Sequence, residues 1–259
     1  MAARRICQGK WASAGATCTA PDDHLIVEAK SHDKVVGMLQ RQLVRCFTEI
    51  SKMSPDYGSV LNEAHLKRLA GYIDDAVQRG AKVVCGHGAG EPVDVEGRCM
   101  APTTLADAPL DALIMHEEIF GPILPVIKMG ASGVVGGQGG VEGMIHGAID
   151  MILSKEKPLA CHVFTSRASV QRPVVARVQA GSMVISGAVV HALVPDMPFG
   201  GVGASGMRNH HGREGFRTFS HAKAVLKHDT ATDFLTKFRH PPFSRLAGRI
   251  FPLVMGKAY

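Results

Sequence analysis

One cysteine near the start of the sequence lies among unusually small neighbours. Cys18 follows residues 13–17 (SAGAT) and precedes residues 19–22 (TAPD). Small neighbours let a substrate approach the sulfur, and they leave backbone N–H groups available to stabilise an oxyanion. A lone cysteine is also often a small buried apolar residue. This segment alone therefore leaves two interpretations of Cys18 open, a nucleophile and a core residue.

A second group combines two adjacent carboxylates with an aromatic ring. Glu117 and Glu118 are consecutive, and Phe120 follows shortly after. In extended chain the two carboxylates point to opposite faces, so they do not form a general acid–base pair. One carboxylate can accept hydrogen bonds from ribose hydroxyls, while Phe120 offers a flat apolar surface to a ring. The alternative is a solvated pair of glutamates beside a core phenylalanine.

A glycine-rich loop, residues 198–206 (PFGGVGASG), is the third group. Gly201, Gly203 and Gly206 match the G-x-G-x-x-G spacing of a dinucleotide fingerprint. The match is weak, because no strand of adequate length precedes it and no βαβ unit follows it. We interpret it as an irregular loop that passes close to a site where side chains would obstruct.

The cysteines give no metal site and no disulfide framework. The six cysteines include no C-x-x-C pair, and Cys85, His87 and Cys99 have a spacing that matches no common zinc site. The first residues are basic, but no apolar segment typical of a secretory signal follows them. Reduced thiols and a cytoplasmic location are the expectation.

Composition restricts the class of protein. The chain has 259 residues, of which 46% are hydrophobic and 20% charged, so it has enough apolar material for a core and is not disordered. No apolar run reaches the length of a membrane-spanning helix. The formal net charge of +6 is spread along the chain, with its densest basic stretch in the tail. A solvated surface explains it better than nucleic-acid binding, which is not expected.

Apolar periodicity alternates between strand-like and helix-like segments, which predicts an α/β fold with a mostly parallel twisted sheet and flanking helices. Residues 130–143 include seven glycines and are expected to form a surface insertion. Strands are predicted at 24–29, 82–85, 122–128, 159–165 and 182–185. A first helix is predicted after Ser31, with Val36, Leu39, Leu43, Phe47 and Ile50 at helical spacing. A second is predicted at 63–79, with Leu66, Leu69, Ile73 and Val77 buried. Two more are predicted from about Val141 to Ile152 and at 168–179.

The three groups together, in this order and at these separations, resemble the aldehyde dehydrogenase superfamily, most closely its class 3 and fatty aldehyde branch. The resemblance covers about residues 4–245. Runs that match the family include Arg4-Arg5-Ile6, Gly9-Lys10, Asp56-Tyr57-Gly58, Ala101-Pro102-Thr103, residues 117–122, residues 156–160, residues 198–206, His211-Gly212 and Phe219-Ser220-His221.

The resemblance implies a role for each group. Cys18 is implied to be the catalytic thiolate, which attacks a small-molecule aldehyde. Glu118 is implied to hold the nicotinamide ribose of NAD or NADP, and Phe120 to lie beside the nicotinamide. The implied substrate tunnel is lined by Pro198, Phe199, Gly200 and Gly201. No metal is implied.

The resemblance also implies a domain organisation. Residues 1–190 correspond to the catalytic domain, and residues 191–231 to the active-site loop and a bridging segment with an oligomerisation strand. Residues 232–259 form a basic amphipathic tail. In the family the nucleotide-binding domain and the general-base glutamate lie upstream of the nucleophile, and we expect both to be absent here. The expected partners are a second copy of the chain or another dehydrogenase subunit.

Three alternatives remain open at this point. The chain differs from the family at Ser186-Gly187, where Asn-Asp is usual, and at His210, where a tyrosine is usual. These differences suit a non-oxidising remnant that retains thiol esterase activity, or an interaction subunit. The tail interleaves apolar and basic residues, which is compatible with peripheral membrane contact. Pro241-Pro242 and Pro252 are expected to interrupt a continuous helix there.

Overall fold

The structure is a computed structural model of the chain. It describes residues 1–16, 24–47, 54, 56–85, 93–130, 140–228, 230–231, 234, 237 and 240–255. The chain divides into two compact units, Met1–Phe219 and Ser220–Tyr259.

The larger unit is built on a four-stranded sheet whose strand order is β1-β6-β5-β2. Strand β6 runs parallel to both β1 and β5, while β2 is antiparallel to β5. A separate parallel pair joins β7 to β8. The predicted α/β class with a mostly parallel sheet is confirmed. The strands are β1 (Leu25–Glu28), β2 (Lys82–Cys85), β3 (Val93–Asp94), β4 (Cys99–Met100), β5 (Thr103–Ala106), β6 (Ile123–Met129), β7 (Ala160–Val163) and β8 (Ser182–Ile185).

The described residues of this unit form six α-helices, and the second to the fifth of them lie close to the predicted ranges. They are α1 (Ala2–Trp11), α2 (His32–Cys46), α3 (Glu63–Gln78), α4 (Gly140–Leu153), α5 (Ala168–Arg177) and α6 (Gly212–Thr218). The predicted end of the surface insertion, residue 143, is wrong, because residues 140–143 form the first turn of α4. Residues 131–139, and Ile50 of the predicted first helix, lie outside the described part of the chain.

Helix α3 buries a face that differs slightly from the predicted one. Leu66, Leu69 and Ile73 are buried as expected, but Val77 is 44% exposed. Tyr72 and Ala76 are buried in its place. The reason is geometric: at 100° per residue the buried face is centred near Leu69 and Ala76, so Val77 falls at its edge.

Helix α1 and strand β5 are elements that the apolar pattern did not predict. Strand β5 is buried along its whole length although it begins with two threonines, Thr103 and Thr104. Helix α1 contains Arg4, Arg5 and Lys10, and Lys10 is only 1% exposed. Polar residues in buried positions hide both elements from a search for apolar periodicity.

The smaller unit contains α7 (Arg245–Met255), while residues 220–228 form neither helix nor strand. Ser244 Oγ accepts a hydrogen bond from the Ala247 amide and caps the start of α7. The expected interruption at Pro252 is wrong: the helix continues through it, because a proline at the start of the last turn removes a single backbone hydrogen bond. Within the described residues no helix is long and apolar enough to cross a membrane.

Candidate active site

Cys18 lies outside the described residues, so the site is built from the segment that leads to it. Helix α1 ends at Trp11, which is fully buried and whose Nε1 donates to the Pro122 carbonyl at 2.8 Å. Two tight turns follow, since the Ala14 amide donates to Trp11 O and the Ala16 amide to Ser13 O. The chain that approaches Cys18 is therefore fixed to the start of β6.

Gly15 makes the closest contact of this segment. Its φ is +66°, and a Cβ at this position would lie 2.1 Å from the Gly121 carbonyl oxygen. On the other side, a Cβ on Gly58 would lie 3.1 Å from the Ser13 carbonyl carbon. Only a residue without a side chain fits at position 15. The segment before Cys18 is thus packed against the residue that directly follows Phe120.

The loop of residues 117–120 is held by helix α3. Arg68 Nη2 donates to the Ile119 carbonyl at 2.8 Å, and Arg68 Nη1 donates to the Tyr72 hydroxyl at 2.9 Å. The Tyr72 hydroxyl donates in turn to Glu117 Oε2 at 2.7 Å. Burial and the bond to Glu117 raise the pKa of Tyr72, so this hydroxyl remains a donor. Glu117 therefore anchors the loop.

Glu118 and Phe120 reach solvent, as Glu117 also does. Glu118 is exposed, and Phe120 is 38% exposed with a φ of +45°. A phenylalanine in the left-handed region needs support from its surroundings. Arg68 supplies part of that support through the carbonyl of Ile119, the preceding residue. Sequence reasoning did not find Arg68 and Tyr72, because their partners lie 45 to 51 residues away in the chain.

The third group, at 198–206, is an irregular loop as predicted. The amides and carbonyls of Phe199 and His210 form two reciprocal hydrogen bonds, of 3.1 and 2.9 Å. A Cβ on Gly200 would lie 2.0 Å from Arg208 O, and one on Gly201 would lie 1.9 Å from Ser205 O. These glycines make room for the returning backbone of the loop itself.

Strand β8 connects this loop to α1. A Cβ on Gly181, just before β8, would lie 2.2 Å from Gly200 O. Just after β8, the Ser186 carbonyl accepts a hydrogen bond from the Arg5 guanidinium of α1. Strand β8 thus links the loop of residues 198–206 to α1, while Trp11 and Gly15 contact residues 121–122 on the other side.

Two of the described cysteines, Cys7 and Cys161, are unsuited to act as nucleophiles. Cys7, Cys46, Cys99 and Cys161 are free thiols. Burial raises the pKa of Cys7 to about 12 and that of Cys161 to about 11, so both stay protonated near neutral pH. No group of three metal-ligating side chains occurs among the described residues. His87, considered above for zinc, lies outside them.

Comparisons with known proteins agree on one family. The model described as "Aldehyde dehydrogenase family" matches residues 1–225. Dimeric NADP-preferring aldehyde dehydrogenase of Rattus norvegicus is 35% identical over 242 residues, which cover 93% of this chain and 48% of that protein. The bovine protein of the same name is also 35% identical over 241 residues, covering 93% of this chain and 91% of that sequence.

A solved structure shows the same architecture. The substrate-bound state of Staphylococcus aureus AldH superposes with a TM-score of 0.73 at 30% identity. The alignment covers 92% of this chain and 50% of the AldH chain. The chain likewise spans about half the length of the rat protein, whereas it spans most of the bovine sequence.

Proposed function

Because the chain belongs to the aldehyde dehydrogenase family, we propose that it carries the catalytic part of an enzyme that oxidises an aldehyde to a carboxylic acid with NAD or NADP. The contact between Gly15 and Gly121 supports this proposal most directly. It places the chain leading to Cys18 beside the loop that presents Glu118 and Phe120.

The proposed chemistry begins at Cys18. Its thiolate attacks the aldehyde carbonyl carbon and forms a thiohemiacetal, with the Cys18 backbone N–H donating to the developing oxyanion. Loss of hydride from that carbon re-forms the carbonyl as a thioester. Water then attacks the thioester, the carboxylic acid leaves, and the thiolate is restored. The residues that bind the aldehyde in this proposal include Pro198 to Gly201.

Glu118 and Phe120 fit a nicotinamide nucleotide. An exposed carboxylate accepts hydrogen bonds from ribose hydroxyls, and an exposed aromatic ring packs against a flat heterocycle. Bound NAD(P)⁺ would supply the hydride acceptor. Arg68 and Tyr72 orient the loop that presents both side chains, since they bind Ile119 O and Glu117.

The proposed partner is a second chain, either another copy of this one or another dehydrogenase subunit. Four large apolar side chains near the end of the larger unit are mostly exposed, and a partner chain that covered them would remove this apolar surface from water. The exposed fractions are 75% at Leu193, 89% at Met207, 74% at Phe216 and 88% at Phe219. A nucleotide-binding half would be provided by such a partner or by the same longer polypeptide.

The experiment that tests the proposal measures aldehyde oxidation and the labelling of Cys18. The chain is mixed with the separately produced upstream half of the rat NADP-preferring relative, and NAD(P)H formation is followed with several aldehydes. Labelling of Cys18 by a thiol-reactive aldehyde analogue should increase when NAD or NADP is added. Failure to bind either nucleotide in this mixture would refute the proposal. A rate of ester hydrolysis that does not change when NAD or NADP is added, without any aldehyde oxidation, would favour the thiol esterase alternative.

Arg68 provides a second test through the cofactor. Replacing Arg68 by methionine removes the donor to Ile119 O and leaves a carbonyl without its charged partner. We expect the Kd for NAD(P) to rise about tenfold, the effect of losing roughly 1.5 kcal/mol of loop positioning. The measurement is a nucleotide titration in the same two-chain mixture.

Lys67→Met is the matched control for that substitution. Lys67 is the neighbouring residue of α3, it is 69% exposed, and its ion pair with Glu63 lies on the helix surface. Such pairs contribute little, so the Kd should change less than twofold. If both substitutions raise the Kd equally, Arg68 acts only by contributing a positive charge to α3 and not through its hydrogen bond to Ile119 O.

A further inference from the structure

Three histidine rings lie around Phe199, and a fourth lies against one of those three. The Phe199 ring centroid lies 5.4 Å from that of His191, 5.2 Å from that of His210 and 6.1 Å from that of His211. The His162 ring, on β7, lies 5.8 Å from the His191 ring on its other side. Phe199 itself is 7% exposed. The loop that we place at the substrate tunnel is therefore fixed by ring packing as well as by its two backbone hydrogen bonds.

His191 is the central ring of this cluster and has unusual surroundings. It is 5% exposed, and neither of its ring nitrogens has a hydrogen-bond partner among the residues that the structure describes. Within the same part of the chain, the buried nitrogens His162 Nε2 and His211 Nδ1 also lack partners. A buried imidazole without a partner loses its hydration and gains no hydrogen bond in return. Packing against Phe199 and His162 therefore helps to hold this ring, and none of the described residues accepts a hydrogen bond from it that would stabilise a second ring proton.

We propose that His191 is a positioning residue which holds Phe199, and with it the loop of residues 198–201, only while its imidazole is neutral. The inference rests on the proposed function only in assigning that loop to the substrate tunnel. The consequence is a substrate site that loosens in acid.

Electrostatics support this arrangement. Burial lowers the pKa of His191, and burial together with the charge of His191 lowers the pKa of His162 to about 4. His210 and His211 face the same Phe199 ring, Asp196 packs beside Gly212, and the Arg5 guanidinium binds Ser186 O before the helical turn that carries His191. A histidine whose pKa is lowered by folding stabilises the folded state above its ordinary pKa. For both histidines that stabilisation is lost as the pH falls below the ordinary value of 6.5, and for His162 the loss continues down to about pH 4.

The test is hydrogen exchange of two backbone amides at several pH values. The amides of Phe199 and His210 each donate across the loop, so their protection reports whether the loop is closed. After correction for intrinsic exchange, we expect protection to fall at least about tenfold between pH 7.5 and pH 5. The amides of β6 serve as an internal reference and should stay protected. No enzymatic activity is needed, so failure here is distinct from failure of the proposed function.

His191→Phe keeps a flat apolar ring but cannot be protonated. In this variant we expect the acid-dependent loss of protection to shrink below threefold. His146→Phe, at an exposed position of α4, is the control and should behave as the unsubstituted chain. If His191→Phe shows no cooperative thermal transition, His191→Gln replaces it. An unchanged decline in the non-titrating variant, no decline in the unsubstituted chain, or an equal loss at β6 would each overturn the inference.

Discussion

Replacing Cys18 by alanine should lower kcat for aldehyde oxidation by at least about a thousandfold, because the covalent step has no substitute nucleophile. Ester hydrolysis by the same chain should fall equally, since acyl transfer to a thiolate needs no nucleotide. Both rates are measured spectrophotometrically in the two-chain mixture described above. Binding of NAD(P) should be nearly unchanged, because alanine removes the sulfur and leaves the loop of residues 117–120 intact.

Cys161→Ala is the matched control for this prediction. The Cys161 thiol is held protonated by burial, with a pKa of about 11, so its loss should change either rate by less than twofold. Cys7, with a pKa of about 12, should likewise resist iodoacetamide at pH 8 in the folded chain. If ester hydrolysis survives in Cys18→Ala and disappears in Cys161→Ala, the nucleophile has been assigned to the wrong cysteine.

The strands that could be predicted are those with continuous apolar runs. Strands β1, β6 and β8 are rich in leucine, isoleucine and valine, and all three were located within a few residues. Strand β5 was missed although it lies in the middle of the main sheet, because its threonines are buried. The pattern of apolar residues along the sequence predicts strands made of apolar side chains. Whether a strand with polar side chains is buried depends on its tertiary contacts, which this pattern does not contain.

The site shows the same division between local and distant information. Residue types and order were enough to select Cys18, Glu118, Phe120 and the loop at 198–201 as candidates. The groups that hold them in place could not be selected. The contact of Gly15 with Gly121 joins segments more than one hundred residues apart, and Arg68 acts on a carbonyl 51 residues away. A backbone carbonyl has no sequence signature, so its partner can be found only from the fold.

Gly15 is the position at which this distant packing can be tested with the largest effect on stability. In Gly15→Ala the new Cβ would meet Gly121 O at 2.1 Å, and the residue would keep a φ of +66°. The left-handed conformation costs an alanine about 1 kcal/mol, and relieving the overlap with a backbone carbonyl adds about 1–3 kcal/mol. We expect a loss of about 3 kcal/mol, which lowers Tm by roughly 6–12 °C for a unit of this size.

Gly71→Ala separates this steric effect from the general effect of replacing a glycine. Gly71 lies in the middle of α3, and nothing lies within 4 Å of a Cβ built there. Alanine in a helix interior is favoured over glycine by about 1 kcal/mol, so this variant should be more stable than the unsubstituted chain. Opposite signs of the two changes in thermal unfolding would show that the segment before Cys18 is clamped against residue 121. A Gly15→Ala variant as stable as the unsubstituted chain would mean that this segment is not held there, and the support for placing Cys18 beside Glu118 and Phe120 would be lost with it.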